Sequence, residues 1–449
     1  MILLKNCSYV IASAENVMND VDILIEDNKI KQIGKGLSTQ GCDKVIDCYQ
    51  KLVLPGLINC HTHGYQNLLK GLGDSLTTFD WCRAVTFPFV NIIHKYEREY
   101  HDESLSYAWG VLMAIEMIKN GVTSFVSMDN GLKPQFDAWN QVGIRGRLAI
   151  NTVNKWIPKE FAIPDEVRVA QMEETIDMFR GKGLQDVMIA PNTPFSCTES
   201  FMKDLFKMAK KYGIKTQVHV SETANEVPES LQECGKTPLA YLDSIGFLDE
   251  PMMAVHCVHL TPEEMEICKK KNVSVVYNPK SNGKLGSGIA PITELYEMGV
   301  NCCLATDGAA SNDLQDMMED LRFGSMLQKL KYQTPARFGE KQMFDIATRG
   351  GAVATGIDAG VLEAGKLADI VIMNTRNVNM GPIHDPISSF VYSGKGCDVE
   401  TVLVDGKVVM ENKKILGVNE EKVVEEAIQL GELRYAEVPK KAMKTEGTL

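Results

Sequence analysis

No apolar stretch in this 449-residue chain reaches the ~18 residues that a membrane-crossing helix requires. Lysine and arginine are outnumbered, 47 against 59 aspartates and glutamates, and they form no basic block. The formal net charge of −12 would repel a polyanion, so neither nucleic acid nor a membrane is expected as a partner. The phosphate-cradling pattern G-x-x-x-x-G-K-S/T is missing, and so are short-period repeats and low-complexity tracts. Lys5 and Asn6 interrupt the short apolar start, and no basic region precedes it, so a signal peptide is not expected. Twelve cysteines are present, but Cys257 and the adjacent Cys302 and Cys303 sit inside apolar, strand-like runs. A reducing, cytoplasmic setting is expected rather than a disulfide framework.

With 44% hydrophobic and 24% charged residues, the composition is that of a soluble globular protein with material for a large core. The ends of the chain read as short strands: "ILLKNCSYVIA", "DVDILIEDNKIKQIG" and "DKVIDCYQKLVLPG" at the start, "GKLADIVIMN" and "VETVLVDGKVVMENKKIL" near the finish. Turn residues at Asp27-Asn28 and Gly34 to Gly36 favour antiparallel hairpins. The two ends are expected to pair into one small β unit, residues 1–55 with 366–449, ending in a polar frayed tail, "EVPKKAMKTEGTL". Between them, residues 56–365 alternate β-like runs with helical stretches that often end in glycine. The runs are "GLINCHTH", "VTSFVSMD", "IRGRLAINT", "DVMIAPNTP", "IKTQVHVSE", "MMAVHCVHL", "VSVVYNPKS" and "VNCCLATDG". Such a series argues for an α/β fold of the parallel (β/α)8 barrel kind.

The histidines carry most of the functional information. His61 and His63 flank Thr62 at the end of the first run, and residues two apart in a strand point the same way, so both could grip one ion. Read alone, the pair could equally be two surface histidines on a loop. But His219 closes the fifth run, His256 lies in the sixth and Asp307 closes the eighth, and barrel enzymes build their sites at the C-terminal ends of strands. His94, His101 and His384 fall elsewhere and are expected to be solvated or locally bonded.

The segments "VLPGLINCHTH", "VHVSE", "VHCVHLT", "NPKSNGKLGSGIAP", "TDGAASNDLQDM" and "GVLEAGKLADIVIM" together resemble the amidohydrolase superfamily. The likeness is to its aminohydrolase branch of methylthioadenosine/S-adenosylhomocysteine deaminases, guanine and 8-oxoguanine deaminases and triazine hydrolases. The resemblance implies a TIM-like (β/α)8 barrel inserted into a small β-sandwich made from both chain ends. It also implies a hydrolytic deaminase releasing ammonia from an aminated nitrogen heterocycle, with His61, His63, His219 and Asp307 as metal ligands. Glu222 would be the general acid/base, Asp307 would also take the proton of the nucleophilic water, and His256, rather than His259, would polarise the reacting carbon. The other reading of Glu222 is an acid at the start of the helix after it. Binuclear members carry a lysine on the fourth strand; "MIAPNTP" has none, so one divalent ion is expected, zinc or, on the same ligands, iron.

For the substrate, the loop after the first strand offers Tyr65, Phe79, Trp81, Phe87 and Phe89 as walls of a lid, or as the loop's own core. Gln66, Trp81, Val90, Asn192 and Asn282 are the candidate substrate contacts. Two positions depart from the methylthioadenosine-type pattern: Asn192 in "PNTPFSCT" replaces a histidine, and Val90 in "TFPFV" replaces a ribose-binding glutamate. Valine accepts no hydrogen bond, which favours a free purine, pterin or triazine-like ring over a nucleoside. Deamination of an adenosine derivative, dechlorination of a triazine and a non-catalytic scaffold are the alternatives. A homo-oligomer is also expected.

Overall fold

The computed structural model describes residues 1–155 and 162–439. Eight parallel strands follow one another around a barrel: Leu57–Thr62, Val122–Asp129, Arg145–Thr152, Gln185–Pro191, Thr216–Val220, Met252–His256, Ser274–Tyr277 and Cys302–Leu304. Seven fall within the runs legible in the sequence, and the fourth begins one residue before its run, at Gln185. The strands are buried on both faces, as at Val122–Asp129, which is why they read as continuous apolar runs rather than alternating ones. The eighth strand is only three residues long, and the ring is completed beyond its end: the Asp307 N–H donates to the His61 carbonyl at 3.1 Å.

The helices follow from capping and apolar spacing. In Glu199–Tyr212 the Thr198 hydroxyl caps the first turn and Gly213 ends the last in a left-handed conformation. Phe201, Met202, Leu205, Met208 and Ala209 form its buried stripe.

The chain ends pair as expected, through Ile370–Asn374 running antiparallel to Lys51–Pro55 in a seven-stranded sheet. A four-stranded sheet of residues 2–47 faces it across a core that includes Leu4, Val10, Ile23, Val53, Ile370 and Leu403. The sheets are mixed rather than built of hairpins alone. Ile2–Cys7 pairs parallel with Lys44–Asp47, and Tyr9–Ser13 parallel with Lys51–Pro55, because both connections cross over between sheets. The Arg145 guanidinium, on the third barrel strand, forks onto Asp369 at 3.1 and 3.2 Å and reaches Asp405 at 3.0 Å, locking barrel to β unit.

The C-terminal segment does not stay in the sheets. Helix Glu420–Tyr435 packs on the barrel helix Ser104–Lys119. Nor does "EVPKKAMKTEGTL" begin as a frayed tail: Glu437 bonds to Lys95 and Tyr96, and Val438 is buried. Its remainder, residues 440–449, lies outside the described residues. We propose residues 1–55 with 366–449, and 56–365, as the units of the fold, the C-terminal helix being an arm of the first laid on the second.

Candidate active site

Three imidazoles converge at the C-terminal mouth of the barrel. His61 lies on the first strand, His63 just past its end in extended backbone, and His219 on the fifth strand. Each has its Nδ1 committed to an oxygen: His61 to Gln217 Oε1 at 2.9 Å, His63 to the Met128 carbonyl at 2.8 Å, His219 to the Asn192 carbonyl at 2.7 Å. The Gln217 amide is itself oriented, since its Nε2 donates to the Cys60 carbonyl at 2.8 Å and so turns its oxygen to His61. With Nδ1 carrying the proton, all three Nε2 atoms present lone pairs to a common point. The His61 and His219 Nε2 atoms stand 3.2 Å apart, and the three ligand atoms lie within 4.8 Å of one another. Lone pairs packed this closely repel unless a cation sits among them. Burial, reinforced by the neighbouring rings, holds His219 well below the usual imidazole range and lowers His63 in the same direction, which keeps both neutral, as ligands must be. His61, His63 and His219 are thus a group that could hold a metal ion.

Asp307 reaches the cluster from beyond the eighth strand, three residues past its end at Leu304 rather than on it. Its Oδ1 is 3.4 Å from His61 Nε2 and 3.7 Å from His63 Nε2, and its Oδ2 accepts from the hydroxyls of Ser281 at 2.6 Å and Ser311 at 3.2 Å. Burial alone would raise its pKa, but the contact with His61 and the charge that His61, His256 and His63 carry when protonated pull it well below the usual carboxylate range. The backbone turns unusually at these strand ends: Ser221, His256, Cys257 and Asp307 all have positive φ, between 51° and 70°. Non-glycine residues adopt that conformation at a cost, and clustered at a site it aims side chains that a regular strand would point elsewhere.

Glu222 sits across from this group, with Oε2 3.7 Å from His256 Nε2. Its carboxyl is pushed up to about 8, first by burial and then by the charge of Asp307, so it holds a proton at neutral pH. It is not the acid of the helix that follows. That helix begins at Glu226, and Glu226 itself accepts from the Thr223 N–H at 2.9 Å. The His256 ring stacks on His219 at 5.5 Å, and its Nδ1 faces Asn282 Oδ1 at 2.9 Å. His259 points away and bonds through Nε2 to the Ser287 carbonyl at 2.8 Å. Among the described residues the histidine cluster does not include His94, His101 or His384.

The sequence-selected substrate contacts fare less well. Asn282 stands behind His256 and orients it. Gln66 is buried, with its amide oxygen against the Ala310 N–H at 3.3 Å and packed so closely on Gly308 that a side chain there would overlap it. It braces the Asp307 loop. Trp81 belongs to the lid's own core, 6% exposed and packed on Gly73 and Val85, as does Phe89; Phe79 and Phe87 face solvent. Tyr65 is the lid aromatic that meets the site, its ring 6.2 Å from His63. Val90 is half-buried on helix Phe87–Glu99. Asn192 supports His219 through its backbone, while its carboxamide donates to Asn151 at 3.2 Å.

Residues not singled out in the sequence complete the site. Gln217 stands two residues before His219 on the same face of the strand, so alternation could have flagged it. Ser281 and Ser311 lie within the quoted segments. Nothing local marks Thr78, whose hydroxyl comes from the lid to within 3.4 Å of Glu222 Oε1.

The model of the amidohydrolase family matches residues 52–409. The chain belongs to that family. It is 36% identical over 410 residues to a 5'-deoxyadenosine deaminase of Methanosphaera stadtmanae, covering 90% of this chain and 93% of that protein. A 5-methylthioadenosine/S-adenosylhomocysteine deaminase of Carboxydothermus hydrogenoformans is 37% identical, with coverage of 96% and 97%. The crystal structure of an adenosine deaminase from Xanthomonas campestris with bound zinc superposes with a TM-score of 0.88 at 26% identity, covering 97% of this chain and 98% of that one. The protein is a hydrolytic deaminase, an amidohydrolase acting on carbon–nitrogen bonds.

Proposed function

We propose that the protein hydrolyses an amino-substituted nitrogen heterocycle, exchanging a ring amino group for oxygen with release of ammonia. The convergence of three Nε2 lone pairs opposite a carboxyl that holds its proton at neutral pH is the observation that carries this reading. His61, His63, His219 and Asp307 would hold one divalent ion, for which three buried imidazoles and a carboxylate fit; zinc is the preferred occupant and iron suits the same donors. When bound, the ion lowers the pKa of water and so supplies a nucleophile near neutral pH.

The chain's own groups handle the protons. Asp307 is ionised and, beyond its contact with the ion, can accept a proton from the attacking water. Glu222 arrives protonated and gives its proton to the ring or to the departing nitrogen, without which an amide ion would have to leave. His256 places Nε2 3.7 Å from Glu222 Oε2, and with a proton on that nitrogen it would donate toward the negative charge that builds at the reacting centre during addition. A reducing, cytoplasmic setting is part of the same proposal, since cysteines such as Cys257, Cys302 and Cys303 are buried among the apolar core of the barrel.

For the substrate, Val90 and Asn192 favour a ring without ribose. Hydroxyls buried against valine lose water and gain no partner, about 1–3 kcal/mol for each, or roughly tenfold to a hundredfold in affinity. The nucleoside-type names of the relatives favour a second reading, deamination of an adenosine derivative. Ammonia release measured side by side at matched low substrate concentrations separates the two. The best free heterocycle is expected to exceed adenosine, methylthioadenosine and S-adenosylhomocysteine in kcat/KM by at least about tenfold. A clear preference for any of the three nucleosides would establish the second reading.

A further inference from the structure

The segment that covers the barrel mouth, residues 64–99, carries two distinct faces at its first helix. Thr78 and Cys82 are four residues apart and share one face; Trp81 and Val85 share another. The second face is buried with Leu69 and Phe89 in a cluster completed by Leu105, Trp109, Leu285 and Ala310 from outside the segment. The first looks into the site. Thr78 Oγ1 lies 3.4 Å from Glu222 Oε1, and the Cys82 thiol is pushed up to about 12 by burial and then by the charges of Glu222 and Asp307. Just beyond Trp81 the helix widens into a single π turn, Cys82–Thr86, an irregularity that re-aims the side chains on either side of it.

The lid is in turn held from outside by the C-terminal arm. Val438 is part of the lid core, and the Arg434 guanidinium lies 3.7 Å over the Tyr96 ring while bonding Asp102 at 3.3 Å. Glu437 accepts from Tyr96 and from Lys95. Gly431 lets the arm press on the turn Gly64–Leu68: a side chain there would meet Leu68 at 2.8 Å.

We infer that the lid positions Glu222 for proton transfer through the Thr78 hydroxyl, and that the C-terminal arm sets the lid at the height where this contact can form. At 3.4 Å the bond is about 0.6 Å longer than a usual O–H···O contact, so seating of the lid over substrate would shorten it. Thr78 is thus a positioning residue. Arg434 and Glu437 act on the acid from the far side of the lid.

The inference rests on the acid/base reading of Glu222, and the experiment keeps the two apart. Steady-state ammonia release, metal content and thermal unfolding are measured on Thr78→Val, Thr78→Ser, the double variant Arg434→Ala/Glu437→Gln, their combination, and Glu222→Gln. Thr78→Val is expected to lose about tenfold in kcat/KM, mostly in kcat, with metal content and unfolding temperature unchanged, and Thr78→Ser to recover most of it. The double variant should lose activity in the same direction, and adding Thr78→Val to it should cost little more, because both act through one contact. Thr78→Val within twofold of the parent while Glu222→Gln is inactive would overturn the inference, as would full additivity of the two losses. An active Glu222→Gln variant would remove the acid assignment and the inference with it.

Discussion

Replacing Gln217 by leucine tests the geometry of the metal site without touching a ligand. The Gln217 side chain is completely buried; it accepts from His61 Nδ1 at 2.9 Å, and its Nε2 donates to the Cys60 carbonyl at 2.8 Å and, weakly, to Met253 Sδ at 3.9 Å. Leucine has similar bulk and neither function, so the barrel interior stays filled while His61 loses the acceptor that keeps its proton on Nδ1. The imidazole is then free to take the other tautomer, which turns an N–H toward the ion. Loss of such an outer partner typically costs ten- to a hundredfold in metal affinity, about 1.4–2.7 kcal/mol. The orphaned N–H and carbonyl would each cost about a further 1–3 kcal/mol of stability. Metal affinity is read by competition with a chromophoric chelator at neutral pH, with unfolding followed in parallel. Gln217→Leu should bind metal at least about tenfold more weakly and unfold at lower temperature. A folded variant with metal affinity within twofold of the parent would refute the claim that Gln217 fixes the His61 tautomer.

Glu222→Gln should nearly abolish turnover and leave metal content intact, whereas His219→Ala should lose the metal; elemental analysis beside the ammonia assay distinguishes them. The purified protein should carry about one zinc or iron per chain and lose activity on chelation, because the fourth strand, Gln185–Pro191, has no lysine to bridge a second ion; two tightly bound ions would contradict this. Asp320, fully buried, has its carboxyl raised to about 8 by burial, well above an unfolded value near ~3.9. The folded chain therefore holds a proton that the unfolded chain releases, so stability falls as pH rises from about 4 through about 8. Between pH 5 and pH 8.5 the unfolding temperature of the parent should fall further than that of Asp320→Asn; equal falls would show that Asp320 does not titrate as assigned.

Much of this could be read without coordinates. Buried parallel strands are apolar on both faces, so all eight barrel strands stood out as runs. The metal-site histidines were legible because strand periodicity places His61 and His63 on one side and a barrel gathers the ends of its strands. Of the two histidines in "VHCVHL", His256 stacks on His219 while His259 bonds the Ser287 carbonyl, a difference that only the fold displays. The lid was misread at Trp81 because an aromatic side chain looks the same in sequence whether it lines a pocket or fills a core, and here Gly73 and Val85 close around it. Asn282 and Gln66 are instead engaged by partners remote in the chain, His256 and the Ala310 N–H, which the sequence does not show.

By itself the sequence determined the fold class, the order of the strands and the residue types available to hold a metal, since these follow from local periodicity and from chemistry that each side chain carries with it. Tertiary structure alone decided which nitrogen of each histidine points to the centre of the cluster, why the Glu222 carboxyl is raised while that of Asp307 is lowered, and which lid hydroxyl meets Glu222. Those properties belong to hydrogen bonds, burial and charge between segments remote in the chain, such as Gln217 with Cys60 and Thr78 with Glu222. Proton positions depend on the whole surrounding field, and that field exists only once the barrel has closed.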